Sequence, residues 1–362
     1  MEDFIPGLKF ARQFYEEIVR GLIEDSFPDV QYSIGRMGQG SDVLGFDTPM
    51  STDHAWGTWL ELFLSESDFS RYSKQIHNML GENLPLRFKG HSTNWEIAPQ
   101  GSWVEDSTTT GFINHAISIH TIQSFFEKHI GFNPHETPTP VDWLVFSEQG
   151  LLEVTRGEVY HDGLDQLEAF RKKFDYYPTD VWKYLLSTQW ARIAQEEHLM
   201  GRAGCAGDEL GARIIASRLV RDVMRLCFLM EKKYAPYPKW FGTAFRELNS
   251  YKTFEPLFIA TLDARDWETR DKAFSAVLEQ IAKKHNELKI TEELDSNIKQ
   301  FYERPYSVIF AGRFFTSIRK TISDDKVLQL PKYIGSVDQF SDSTDLVGKT
   351  PLRQRIKNVY YQ

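Results

Sequence analysis

Between residues 35 and 57 the chain reads GRMGQGSDVLGFDTPMSTDHAWG. Three of these residues, Gly40, Ser41 and Asp53, have the types and spacing to handle a phosphate and a metal ion. Glycine lets backbone N–H groups approach a phosphate closely, and a serine hydroxyl adds a donor. After eleven further residues comes Asp53, where a new strand is expected to begin. Side chains two apart on a strand share a face. Asp53 and position 55 are therefore expected to point together, with His54 and Trp56 opposite. Two carboxylates so placed hold Mg²⁺, whose octahedral oxygen shell nucleotide phosphates can complete. The ion then offsets charge on the phosphate under attack. Position 55, however, is alanine, which has no donor. An ordinary turn followed by an aspartate is the plainer account; strand patterning on both sides and the Asp-x-x-Trp-Gly run set this stretch apart from one.

Flanking elements must hold these residues in place. Phe4, Leu8, Ala11, Tyr15, Ile18 and Leu22 recur at helical spacing over residues 4–24, and Val30, Tyr32 and Ile34 alternate as a strand. The second strand is expected from Asp53 to about Leu64. Capping residues in SESD then open a helix carrying Phe69, Tyr72, Ile76 and Leu80. LPLRFKG and HAISIHTI are short strand candidates, and residues 91–114 between them form a hairpin or a lid. SFFEKHIGF is a short helix. From about Pro178 the patterns are long helices, over DVWKYLLSTQWARIAQEEHLMGR, ELGARIIASRLVRDVMRLCFLMEKKY and residues 265–288, with YAPYPKWFG a turn among them. The fold class is α+β: an N-terminal α/β domain with a small mixed sheet (1–175) followed by an α-helical bundle (176–362) ending in a polar tail.

A chain of 362 residues suits two domains. The net charge of −9 disfavours nucleic acid as the main partner, since phosphate backbones select clustered Lys and Arg. No apolar run approaches the roughly 20 residues of a membrane span, and the acidic, amphipathic N-terminus does not read as a signal peptide. Cys205 and Cys227 have no metal-ligand spacing, so a reducing, cytoplasmic setting is expected. Ten histidines form no H-x-x-x-H or H-x-H pair, which disfavours zinc.

Strand, Gly-Ser, spacer and Asp-x-Asp together make the signature of the polymerase-β-like nucleotidyltransferase superfamily, which this chain resembles. GSDVLGFDTPMSTDHAWG looks like one bacterial and fungal branch, a domain-of-unknown-function family whose second turn reads S-x-D-H-D-W-G. VDWLVFSEQGLLEVTRGEVYHD, YYPTDVWKYLL, GDELGARI, YAPYPKWFGTAF and GSVDQFSDSTD look like further segments of it. The resemblance implies that Gly40 and Ser41 hold the triphosphate of ATP or another nucleotide and that Asp53 binds Mg²⁺. Ala55 stands where the branch has its second aspartate, so catalysis by this form is expected to be impaired. Either the chain has been inactivated deliberately or it is a natural pseudoenzyme; the intact surroundings favour the former.

In the superfamily a third ligand often sits on the strand corresponding to HAISIHTI, where Ser118 and His120 are the site-facing choices. LMEKKYAPYPKWFG resembles a helix end in kanamycin-type aminoglycoside nucleotidyltransferases. By that similarity Glu231 is a general-base candidate and Lys239 a phosphate ligand; a solvated charge and an exposed turn residue are their plainer readings. Glu153, Glu158 and Asp162 are most simply explained by a Gly/Asp turn. Arg202, Asp208 and Glu209 flank a helix break, with Asp208 as a cap. The expected activity is transfer of a nucleoside monophosphate, AMP from MgATP, to a hydroxyl of a small molecule with release of pyrophosphate. A nucleotide-binding pseudoenzyme and an RNA- or tRNA-directed transferase are the alternatives, and the oligomeric state is left open.

Overall fold

The computed structural model describes residues 4–53, 56–99, 103–106 and 111–361, with Asp53 described by its backbone alone. The chain divides into two compact units: Met1–Thr137 with Gln149–Asp175, and Pro138–Glu148 with Tyr176–Gln362. A single cut after residue 175 therefore misses residues 138–148, which group with the helical unit. There Trp143 meets Tyr177 ring to edge at 5.8 Å, and the Glu148 carboxylate accepts the Ala235 amide at 2.7 Å.

The first unit opens with α1 (Gly7–Phe14), a five-residue π-helical turn (Tyr15–Val19) and α2 (Arg20–Ser26). The strand β1 (Tyr32–Arg36) follows, then one helical turn, α3 (Ser41–Leu44), and a 3₁₀ turn (Pro49–Asp53). The next strand, β2, is Leu60–Leu64. It begins seven residues later than the sequence pattern suggests, and the backbone of Asp53 closes the 3₁₀ turn instead. Positions 54 and 55 lie outside the described residues. Ser65 caps α4 (Glu66–Asn83) through the Asp68 amide. Short ladders come next: β3 (Arg87–Phe88) with β4 (His91–Ser92), and β5 (Trp95–Ile97) with β6 (Trp103–Glu105). The strand β7 (Ile117–His120) leads into α5 (Ile122–Ile130), which a Thr121–Ser124 capping box starts.

After α6 (Pro140–Val145) in the second unit and α7 (Glu148–Thr155), the chain returns as β8 (Glu158–Asp162) and α8 (Leu167–Lys173). The four-stranded sheet runs β7-β2-β1-β8. Its β2–β7 pair is parallel, and β1 is antiparallel to both neighbours. Residues 158–162 are thus a sheet strand where a turn was expected. Alternation decides the faces: Tyr32, Ile34, Leu60, Leu62, Leu64 and Ile117 join Phe10, Phe14, Ile23, Ile76 and Leu80 in one core. Ser33, Gly35, Glu61, Phe63, Ser118 and His120 occupy the opposite face.

In the second unit, α9 (Thr179–Glu196), α10 (Leu199–Cys205), α11 (Glu209–Met230), α12 (Pro238–Phe245), α13 (Tyr251–Asp263), α14 (Trp267–Glu287) and α15 (Gly312–Arg319) form a helical assembly. YAPYPKWFG, read as a turn, opens α12 from Pro238, because proline suits the first helical position. The indole of Trp190 stacks on Phe314 at 4.1 Å in the core. No helix among the described residues is long and apolar enough to cross a membrane.

Candidate functional site

The turn after β1 is built around one arginine. Arg36 is 1% exposed. Its Nε and Nη2 grip the Asp42 carboxylate at 2.8 and 2.7 Å, while Nη1 and Nη2 donate to the Met37 and Gln39 carbonyls, each at 2.9 Å. The planar guanidinium thus braces residues 37–42 from inside. Gly38 (φ 77°) and Gly40 (φ 146°) adopt backbone that other residues strongly disfavour. A Cβ on Gly40 would also collide with Arg36 and Asp42. Ser41, half-buried, starts α3, and no described residue hydrogen-bonds its hydroxyl. Farther on, the Asp47 Oδ2 accepts the Gly7 amide at 2.7 Å and the Trp56 indole N–H at 2.9 Å. Those bonds tie both ends of the segment holding the 3₁₀ turn to α1 and to each other.

Behind the turn lie two glutamate–histidine pairs. The Glu61 Oε2 stands 2.7 Å from His120 Nε2, joining β2 to β7. The Glu153 Oε2 stands 2.7 Å from His129 Nδ1, and the Glu153 carbonyl accepts the Gly38 amide at 2.9 Å. A Cβ on Gly38 would lie 3.4 Å from the His129 ring and 3.5 Å from Glu61 Oε1. The glycine turn therefore rests against both pairs.

Gly40 and Ser41 thus form a braced turn, and Asp53 closes the 3₁₀ turn of the following segment. The other sequence candidates scatter. Ser118 and His120 lie on the face with Glu61. Glu158 pairs with Arg12 at 2.7 Å, and Asp162 accepts the Ser33 hydroxyl at 2.6 Å. Asp208 caps α11 through the Gly211 amide, and Glu209 pairs with the buried Arg270 at 2.6 Å. Arg202 sits on α10.

Glu231, read as a possible base or a solvated charge, is neither exposed nor free. Its Oε2 accepts the Asn249 amide at 2.7 Å, and its Oε1 accepts the Ser250 amide at 2.9 Å beside Lys284 at 3.0 Å. Burial pushes this carboxyl up, but the bonds from Ser250, Lys284 and Asn249 outweigh it and hold the pKa below the ordinary glutamate value. Lys239 is exposed at the start of α12, its ammonium 5.0 Å from the centre of the Trp240 ring.

Sequence reasoning passed over Arg36, Asp42, Asp47 and Glu61. A charged residue ending an apolar strand four positions before Gly40 is the signal that could have exposed Arg36. Among the described residues no three His, Cys, Asp or Glu side chains gather to hold a metal ion. The Asp42 carboxylate is engaged by Arg36, one Asp47 oxygen by Gly7 and Trp56, and position 55 offers only a methyl group.

Residues 143–241 match the family model described as a domain of unknown function (DUF4037). The matched stretch leaves the glycine turn outside it. No curated protein matches the chain. Among solved structures, the chain is similar to a nucleotidyltransferase-like protein from Exiguobacterium sibiricum 255-15. The two share 13% identity at a TM-score of 0.35, over 80% of this chain and 83% of that one.

Proposed function

We propose that the first unit binds a nucleoside triphosphate as its magnesium complex, ATP being the simplest choice. The active form of the site would transfer the nucleoside monophosphate to a hydroxyl of a small molecule and release pyrophosphate. The turn at residues 37–42 carries this reading: two positive-φ glycines and an uncommitted serine hydroxyl at a helix start, held rigid by the buried Arg36–Asp42 pair. Backbone amides and the Ser41 hydroxyl would hold the β- and γ-phosphates there, and the Asp53 carboxylate would orient the metal complex. Magnesium, when bound, supplies charge neutralisation at the phosphate under attack. No part of the reading rests on Glu231, whose oxygens are committed inside the fold, or on Lys239.

Ala55 itself favours a second reading for the chain as it stands, nucleotide binding without efficient transfer. Restoring the carboxylate separates the two. Ala55→Asp is expected to release pyrophosphate from a triphosphate, with Mg²⁺ and a panel of hydroxyl acceptors, at least about 100-fold faster than the Ala55 chain, the scale of several kcal/mol of charge stabilisation. Both chains are expected to bind ATP in calorimetry, more weakly after Ser41→Ala. Binding without pyrophosphate release from Ala55→Asp leaves only the second reading, and no binding by either chain removes both.

A further inference from the structure

The segment that carries Asp53 is closed into a loop by one carboxylate. Asp47 Oδ2 accepts both the Gly7 amide at 2.7 Å and the Trp56 indole N–H at 2.9 Å, so residues 48–55 run between two ends held at a single oxygen. The Gly7 amide is the first of α1, and Pro6 before it has no side-chain group to cap the helix. Asp47 takes that part from 40 residues farther along, placing its charge at the helix end that favours an anion. Trp56 is 3% exposed, its ring packed against Phe10 and His91 with centres 5.0 and 4.9 Å apart.

Gly7 also touches the brace of the glycine turn. A Cβ added to it would lie 2.5 Å from Asp42 Cβ and 2.6 Å from Trp56 Nε1. Contacts that short leave room for glycine alone. Asp42 is the carboxylate that Arg36 grips, so the first residue of α1 abuts both the brace of residues 37–42 and the anchored end of the Asp53 segment. The two pieces of the candidate site are thus held to one seat, and Asp47 is the side chain that bonds the second piece to it.

We propose that Asp47 is a positioning residue of the nucleotide site: it fixes the Asp53 segment against the seat at Gly7, and so sets where a metal-bound triphosphate on the glycine turn meets Asp53. The assignment rests on the nucleotide-binding reading. Asp47 acts through the segment it holds and not by touching phosphate or metal. Its two bonds are in place before a ligand arrives, so that much of the segment's ordering does not have to be met at the moment of binding.

Calorimetric titration with ATP, once with Mg²⁺ and once with EDTA, tests this in the chain as it stands and in Ala55→Asp. Asp47→Ala is expected to weaken MgATP by about 10- to 100-fold, the usual cost of removing a group that orients a metal ligand, and to leave metal-free ATP unchanged. Ser41→Ala, by contrast, is expected to weaken both. Asp47→Asn keeps an acceptor for the two N–H groups and is expected to recover most of the lost affinity. Trp56→Phe keeps the packed ring without its N–H. It is expected to weaken MgATP in the same sense and to add little on top of Asp47→Ala, since both changes remove one shared bond. Circular dichroism checks the fold, and if Asp47→Ala does not fold, Trp56→Phe carries the comparison. Equal weakening of MgATP and metal-free ATP overturns the assignment, because Asp47 then supports the unit as a whole. Asp47→Asn as weak as Asp47→Ala also overturns it and makes Asp47 a metal ligand. So does an unchanged MgATP affinity in folded Asp47→Ala. ATP binding that ignores Mg²⁺ in both parent chains, or no binding at all, removes the nucleotide reading and this inference with it.

Discussion

The glycine turn after β1 and the C-terminal end of α11 both carry residues whose types suggest phosphate chemistry, and the fold treats them in opposite ways. At the turn, buried groups do the bracing: Arg36 holds the Asp42 carboxylate and two carbonyls, and no described residue engages the Ser41 hydroxyl. At the end of α11, Glu231 is itself the brace. Both of its oxygens hold residues 249–250 and Lys284. A candidate residue is therefore judged less by its type than by whether its donors and acceptors are already committed inside the protein.

The largest effect that could break this contrast comes from Arg36. Arg36→Ala leaves the Asp42 carboxylate buried without its partner and is expected to destabilise the first unit by about 3–5 kcal/mol. Urea unfolding followed by nucleotide binding to the refolded chain measures it. A fully stable Arg36→Ala chain that still binds ATP would mean that the pair does not brace the turn. Glu231→Ala is next, with an expected loss of about 1–3 kcal/mol for the abandoned amides and ammonium. In the Ala55→Asp chain its turnover per folded molecule is expected to stay level; a collapse of kcat without loss of stability would restore Glu231 as the base.

The smallest effect concerns a third kind of carboxylate. Glu148 lies beside Asp338, with Arg225 3.8 Å away, and burial pushes its pKa up to about 7; that of Asp338 moves up as well. Glu197, with a pKa also near 7 through burial, acts in the same sense. Their protons are held more tightly in the folded chain than in the unfolded one, so stability falls as pH rises through 7. His285, lowered to about 4 by burial, and His198, lowered by burial as well, act in the opposite sense, mostly below their unfolded value of 6.5. The carboxylates therefore dominate the window from pH 6.5 to 8. The second unit is expected to lose about 1 kcal/mol across it through Glu148 alone, and Glu148→Gln to flatten the slope of unfolding midpoint against pH. An unchanged slope would place Glu148 with the satisfied carboxylates.

The elements were largely legible from periodicity, because Tyr32 and Ile34, or Leu60, Leu62 and Leu64, alternate without help from distant residues. The start of β2 was not. Trp56 looks like a strand residue, but its indole is held by Asp47 in a loop whose other contact is Gly7. Glu61 passed as an ordinary polar position in LELFL, since its partner His120 comes from another strand. Glu231 sits in the charged run EKK, and the groups that consume it come from residues 249, 250 and 284. Gly40 and Ser41 stood out because a left-handed backbone and a following helix start are local events. What the sequence concealed was the pairing of buried charges across long separations.

The Gly38 amide is anchored to the carbonyl of Glu153, and β1 is flanked by β8. The wall behind the turn is therefore translated more than a hundred residues after the turn itself. On a ribosome, residues 32–42 emerge with their glycines and arginine in place but without that wall. The site can reach its final form only after the chain has passed through residues 138–148, which belong to the other unit. Assembly of the glycine turn is thus a late event in vectorial folding, and a fragment ending at residue 137 contains every residue of the turn yet cannot complete it.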